Sequence, residues 1–182
     1  MISEPERTLW TIGHSTRPLA QFLGLLAENR LEILADVRSH PGSRRFPHYG
    51  QDALRDELRR HGMDYHWLPA LGGRRRARPD SPNTVWRNAS FRGYADYMQT
   101  PQFADGLESA IALARQKRTA LMCSEAVWWR CHRSMIADAL KARGMCVLHI
   151  IGANAVTVHP YTAPARIHDG QLTYAATASL DL

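Results

Sequence analysis

The chain has 182 residues, of which 45% are hydrophobic and 22% charged, with 12 Gly, 10 Pro and a formal charge of +6 at neutral pH. That composition excludes a disordered chain, a collagen repeat and a disulfide scaffold, and it suffices for one domain that buries roughly 70% of its unfolded surface. No apolar run approaches the ~18 residues of a membrane span, and Met1–Arg7 has neither the basic start nor the apolar stretch of a signal peptide, so a cytoplasmic protein without a membrane partner is expected.

In chain order, Thr8–Ile12 reads as a first strand stopped by Gly13. A helix follows, capped by Ser15 or Thr16, with Pro18 in its first turn and Leu19, Phe22, Leu23 and Leu26 on one face. Ile33–Val37 reads as a second strand and Gln51–His61 as a helix closed by Gly62. Tyr65–Leu68 gives a third strand. From Pro69 to Ser90 periodicity disappears, and a loop of that length is expected to be functional or mobile, with Arg74, Arg75, Arg76 and Arg78 placed to fold over a ligand. Phe91–Met98 and Pro101–Gln116 read as helices, the second capped by Thr100. Thr119–Cys123 is a fourth strand, His132–Arg143 a helix closed by Gly144, Met145–Ile151 a fifth strand, and Ile167–Tyr174 around Asp169-Gly170 a small hairpin.

This alternation predicts an α/β fold: a single three-layer domain with a mainly parallel sheet of about five strands, helices on both faces and a small C-terminal hairpin. With no repeat or linker, residues 1–182 are expected to form one unit. In such sheets ligands bind beyond the carboxyl ends of the strands. That rim collects His14 and Ser15 after the first strand, Asp36 and Arg38 after the second, and Cys123, Glu125, Cys131, His132 and Arg133 around the fourth. Such a convergence points to an active site.

Cys131 opens a helix beside Arg133, conditions that favour a thiolate nucleophile, although a small buried residue is the plainer reading. Glu125, between apolar neighbours, is expected to be desolvated and to act as acid or base, with His14 or His132 sharing proton transfer and Asp36 completing the set. Arg38 and Arg133 are expected to hold anionic oxygens, and Ser15, His48, Tyr49 and Trp129 to contact substrate. Trp129, one of a Trp128-Trp129 pair, offers a face for a base. Residues 38–92 carry 12 Arg against five acidic residues, which favours an anionic partner, nucleotide or nucleic acid. Cys123, Cys131 and Cys146 are read as thiols, ligands or packing, as in a reducing compartment. A zinc site on Cys123, Cys131 and His132 is the weaker alternative, because two close ligand pairs are missing; no cofactor is expected.

The motifs Thr11-Ile-Gly-His-Ser15, Asp36-Val-Arg38 with Pro41 and Ser43, Phe46-Pro-His48-Tyr49, Leu71-Gly-Gly73, Cys123-Ser-Glu125 and Cys131-His-Arg133 together resemble the bacterial and archaeal domain of unknown function family number 488. The likeness runs from about Thr8 to about Gly152, leaving 153–182 as an extension. Cys-Ser-Glu stands where the family usually has Cys-Ala-Glu, which keeps thiol and carboxylate. The resemblance implies a compact α/β domain with these motifs at a common site, and it supplies no reaction. The reading that follows is an enzyme, hydrolase or group-transfer, acting on a nucleotide or nucleic acid at the rim. Its alternatives are a non-catalytic nucleic-acid-binding module and a Cys/His metal or redox sensor.

Overall fold

The computed structural model describes residues 8–42 and 44–176. Met1–Arg7, Ser43 and the last six residues of the C-terminal extension lie outside it. Eight strands and five α-helices alternate among the described residues: β1 (Thr8–Gly13), α1 (Leu19–Glu28), β2 (Ile33–Asp36), α2 (Gln51–Arg60), β3 (Asp64–Trp67), α3 (Ala89–Tyr97), α4 (Pro101–Gln116), β4 (Thr119–Cys123), α5 (Arg133–Ala142), β5 (Cys146–Gly152), β6 (Ala155–Val158), β7 (Arg166–His168) and β8 (Gln171–Thr173). The main sheet runs β3-β2-β4-β1-β5-β6, parallel except for the β5–β6 pair, and β7–β8 forms a separate hairpin.

The central strands are apolar almost throughout because both faces are covered; β4 (TALMC) is buried at every position. Alternate residues divide the core. Trp10, Ile12, Leu34, Ala120 and Met122 pack against Phe22, Leu26, Leu54 and Leu58 of α1 and α2. Leu9, Ala35, Leu121, Cys123 and Val147 face Tyr94, Phe103, Leu107, Ile136 and Leu140 of α3, α4 and α5. The connections leaving β1 and β2 therefore pass to one face while that leaving β4 passes to the other. The crevice over the end of β4 is the switch point at which α/β sheets hold ligands.

Three expectations change. Neither Ser15 nor Thr16 caps α1: Pro18 occupies the cap position without a side-chain hydrogen bond, and Ser15 turns the chain at φ 47°. The sheet gains a sixth strand, β6, turned back on β5 through Asn154 at φ 52°. The loop after β3 is pinned rather than loose, since the carboxylate of Asp96 accepts from the Arg78 amide, the Ser81 hydroxyl and the Asn83 side-chain amide at 2.5–2.8 Å. Thr100 caps α4 as expected, accepting from the Phe103 amide. Among the described residues no helix is long and apolar enough to cross a membrane.

Candidate active site at the sheet rim

Parallel pairing of β1, β2 and β4 brings their carboxyl ends to one edge, and backbone bonds stitch them there. The amides of His14 and Ser15 donate to the carbonyls of Cys123 and Ser124 at 3.0 and 2.9 Å. Gly13 is required by this approach, because a Cβ at that position would fall 1.8 Å from the Glu125 carbonyl oxygen. Two clusters of chemistry-bearing side chains result, one on each face of the rim.

On the α1/α2 side, Arg38 grips Asp36 in a fork: Nε donates to Oδ1 at 2.9 Å and Nη2 to Oδ2 at 2.6 Å. The Tyr65 hydroxyl adds a third donor to Oδ2 at 2.7 Å. Burial of the phenol, and the adjacent carboxylate, push its pKa up. Arg38 is 6% exposed and Asp36 fully buried, so this pair is a desolvated ion pair. Arg38 Nη1 also reaches His14 Nε2 at 3.4 Å. His14 Nδ1 faces the Ser15 carbonyl at 2.9 Å and must donate to it, which leaves Nε2 as the acceptor for Arg38. The imidazole, stacked on Tyr49 at 4.1 Å, is thus neutral. Burial first, and then the neighbouring guanidinium, lower its pKa to about 4 against the pull of the Ser15 carbonyl.

On the α3–α5 side stand Cys123, at the end of β4, with Cys131 and His132 at the entry to α5. Their ligand atoms lie within 4.8 Å of one another. His132 Nε2 donates to the Val37 carbonyl at 3.2 Å, leaving Nδ1 turned to Cys131 Sγ at 3.6 Å. Gly73 passes so close to that ring that a Cβ there would fall 2.9 Å from Nδ1. Cys131 Sγ accepts two N–H groups of Arg133, the backbone amide at 3.5 Å and Nε at 3.4 Å.

Arg133 is only 1% exposed, and its remaining contacts are the Glu125 carbonyl at 2.5 Å and the Thr11 hydroxyl at 3.4 Å. No carboxylate meets this buried cation among the described residues; the one ionisable acceptor it touches is the Cys131 sulfur. Burial raises the Cys131 pKa, but the neighbouring Cys123 thiol, the Arg133 charge and the α5 amide outweigh it and bring the thiol to about 6. Cys123 moves the other way, to about 12, because the Cys131 sulfur lies beside it and it is itself buried.

Of the expected site residues, His14, Asp36, Arg38, Cys123, Cys131 and His132 reach the same rim. Three take different positions from those expected. Glu125 is exposed, so the desolvated carboxylate anticipated there is absent; its contribution is the carbonyl that accepts from Arg133. Tyr49 is buried under His14 with its hydroxyl on the Arg17 carbonyl, a packing position. Arg133 lies beneath the rim and faces the thiol. Ser15 serves the turn, His48 is half-buried beside Tyr49 with its Nε2 unpartnered among the described residues, and Trp129 is 54% exposed while Trp128 packs inward. A shallow cleft of about 490 Å³, lined by His40, Pro41, Pro47 and the first residues of α2, opens beside the rim without reaching Cys131.

Sequence reasoning missed Tyr65, whose hydroxyl completes the Asp36 cluster, and His149, His159 and Asp138, which with Thr11 of the first motif lead away from Arg133 in a hydrogen-bonded line. For Thr11 and His149, a hydroxyl or imidazole in the middle of an apolar strand was the available signal.

Fold and rim together define an α/β protein with a buried thiol–guanidinium pair at the carboxyl edge of its sheet. A family model described as Domain of unknown function DUF488 matches residues 18–140, more than half of the chain, and the chain belongs to that family. The matched segment contains Asp36, Arg38, Cys123, Cys131, His132 and Arg133. No curated protein and no solved structure matches the chain.

Proposed function

We propose that this chain is a thiol-dependent enzyme, of hydrolase or group-transfer type, that acts on a nucleotide or nucleic-acid substrate at the carboxyl rim of the sheet. The observation that carries the reading is the company of Arg133: a guanidinium 1% exposed, without a carboxylate among the described residues, whose Nε–H meets Cys131 Sγ at 3.4 Å. A buried cation is costly unless paired, and a Cys131 thiolate is the pairing anion. The same sulfur is the nucleophile. Its attack on an electrophilic carbon or phosphorus forms a covalent thio-intermediate with loss of the leaving group, and water or an acceptor then releases the product and restores the thiolate. His132, with Nδ1 toward the sulfur, is placed to exchange the protons of both steps. The Arg-rich 38–92 segment and exposed Trp129 supply anion contacts and a stacking face.

A second reading has one observation in its favour. Cys123, Cys131 and His132 present three donors within 4.8 Å, with the second nitrogen of His132 on a carbonyl as in metal-bound histidines. Against it, the Cys131 sulfur already accepts two N–H groups, and a dication there would sit beside a guanidinium.

The test is a set of thermal melts of the purified chain with nucleosides, nucleotides, oligonucleotides and zinc, since ligands of the native state raise its melting temperature. Each stabilising compound is then incubated with wild type and Cys131→Ser, followed by product analysis and intact mass. The expected result is turnover by wild type, a mass adduct on Cys131, and a loss on the order of 10³-fold or more in the variant. Binding without Cys131-dependent turnover would replace the enzyme with a binding module. About one zinc per purified chain, lost in Cys131→Ser, would establish the metal reading.

A further inference from the structure

Arg133 is not the only buried charge-bearing residue on α5. Asp138 lies five residues further along the same helix, also without solvent, and the two do not touch. Asp138 accepts four hydrogen bonds: from His159 Nε2 at 2.9 Å, the Thr162 amide at 2.9 Å, the Thr162 hydroxyl at 2.5 Å and the Tyr174 hydroxyl at 2.7 Å. From His159 the line continues through Nδ1 to His149 Nε2 at 2.9 Å, through His149 Nδ1 to the Thr11 hydroxyl at 2.6 Å, and from there to Arg133 Nη1 at 3.4 Å. It therefore starts at a carboxylate and ends on the guanidinium that faces Cys131.

The protons along this line can be assigned from the two ends. A carboxylate with four donors accepts at His159 Nε2, and an arginine can only donate to Thr11. The assignment that uses the hydroxyl proton of Thr11 inside the line has Thr11 donating to His149 Nδ1, His149 Nε2–H donating to His159 Nδ1, and His159 Nε2–H donating to Asp138. All the hydrogen bonds then point the same way, away from Arg133, and each polarises the next. Both imidazoles stay neutral in this arrangement. For His149 that agrees with a pKa lowered to about 3 by burial, by His159 and by Arg133. Trp128 lies flat on His149, 4.2 Å away and 6° from parallel, and meets the edge of His159. Trp128 belongs to the loop that carries the chain from Cys123 to Cys131, so the line also braces the segment that delivers the thiol.

We propose that Thr11, His149, His159 and Asp138 form a positioning relay that holds the Arg133 guanidinium against Cys131 and so sets the reactivity of that sulfur. The proposal rests on Cys131 being a thiolate, as in the function above. The relay members touch no substrate; they act through Arg133. The ionisable groups facing Cys131 are Cys123 from β4, His132 and Arg133 from α5, and Tyr94 from α3, and of these Arg133 alone is tied to the relay. At the far end, Tyr174 faces Asp138 and the Lys141 ammonium donates to the His159 carbonyl.

The experiment follows thiolate ultraviolet absorbance from about pH 5 to about pH 10 in a Cys146→Ser background, which removes the exposed thiol. Iodoacetamide labelling of the Cys131 peptide is read in parallel. Thr11→Val removes the relay hydroxyl while keeping the branched shape, Thr11→Ser keeps the hydroxyl, and Asp138→Asn tests the far end. Circular dichroism establishes which variants fold. The expected result is a wild-type midpoint well below the 9.0 of a free thiol, raised by about one unit in Thr11→Val and Asp138→Asn, with labelling at neutral pH slowed about tenfold. Thr11→Ser should restore the wild-type midpoint. A folded Thr11→Val with the wild-type midpoint overturns the relay while leaving the thiolate intact. A wild-type midpoint at the free-thiol value overturns the thiolate reading itself, and the relay falls with it.

Discussion

Two arginines at one rim show how a side chain's partner decides its role. Arg38 and Arg133 are both almost without solvent, yet one closes a fork on Asp36 and the other faces a sulfur. The Asp36 pair is desolvated, so removing one partner strands the other charge. Asp36→Asn is expected to cost about 3–5 kcal/mol of unfolding free energy in chemical denaturation, against about 1 kcal/mol for Tyr65→Phe, which removes one hydrogen bond. Equal, small losses for both would mean that water reaches Arg38. The Asp36-Val-Arg38 spacing was legible because both residues lie at the carboxyl end of one strand. Glu125 misled because its apolar followers, Ala126 to Trp128, suggest burial, whereas the chain leaves the sheet there and points the carboxylate to water. The relay as a line was illegible for a different reason: Thr11, Asp138, His149 and His159 lie up to 148 positions apart, and only the β1–β5 register and the packing of α5 against the sheet join them.

At the scale of elements, the long segment after β3 is fixed by what α3 lacks. Its backbone crosses α3 at Gly93, where a Cβ would fall 2.3 Å from the Arg75 carbonyl oxygen and 2.6 Å from the Ala77 amide nitrogen. The crossing leaves Arg75 stacked on the Tyr97 ring at 3.7 Å and carries Gly73 past His132. Gly93→Ala is thus expected to destabilise by about 1–3 kcal/mol or to free residues 75–77, despite the better helix propensity of alanine. Gly24→Ala in α1, where nothing lies within 4 Å of the added carbon, should instead stabilise by up to about 1 kcal/mol. Thermal melts, with limited proteolysis between Arg74 and Arg78, check both, and a stabilised Gly93→Ala would refute the crossing. Composition made the loop visible without showing it pinned, since Asp96 and Gly93 read as ordinary helix residues until the loop lies over them. The strand β6 was lost for want of a Gly at its turn, where Asn154 takes the left-handed conformation instead.

For the molecule as a whole, the buried titratable groups converge on a single pH profile. His14 and His149 bind protons near pH 6.5 when unfolded but only near pH 4 and pH 3 in the fold. Between those values the unfolded chain holds more protons, so unfolding free energy must fall as pH drops from about 6.5, by roughly 3 kcal/mol for His14 alone at pH 4. Cys131 acts in the same direction at higher pH: its thiol, at 9.0 when unfolded and about 6 in the fold, stabilises fully above 9 and loses that contribution as pH falls through 6. Cys123 has the opposite sign, because a thiol raised from 9.0 to about 12 leaves the folded state over-protonated and costs stability as pH rises beyond 9. The sum is a stability maximum on the alkaline side of neutrality, with a long acid slope. Urea denaturation at fixed ionic strength across about pH 4 to about pH 10 measures it. Cys131→Ser should remove the slope between pH 6 and 9 and leave that below pH 6.5, which belongs to the histidines. A flat profile from pH 6.5 to pH 4 would mean that the imidazoles accept protons without leaving the fold, and the one-way hydrogen bonding from Arg133 to Asp138 would have to be redrawn with a charged histidine inside it.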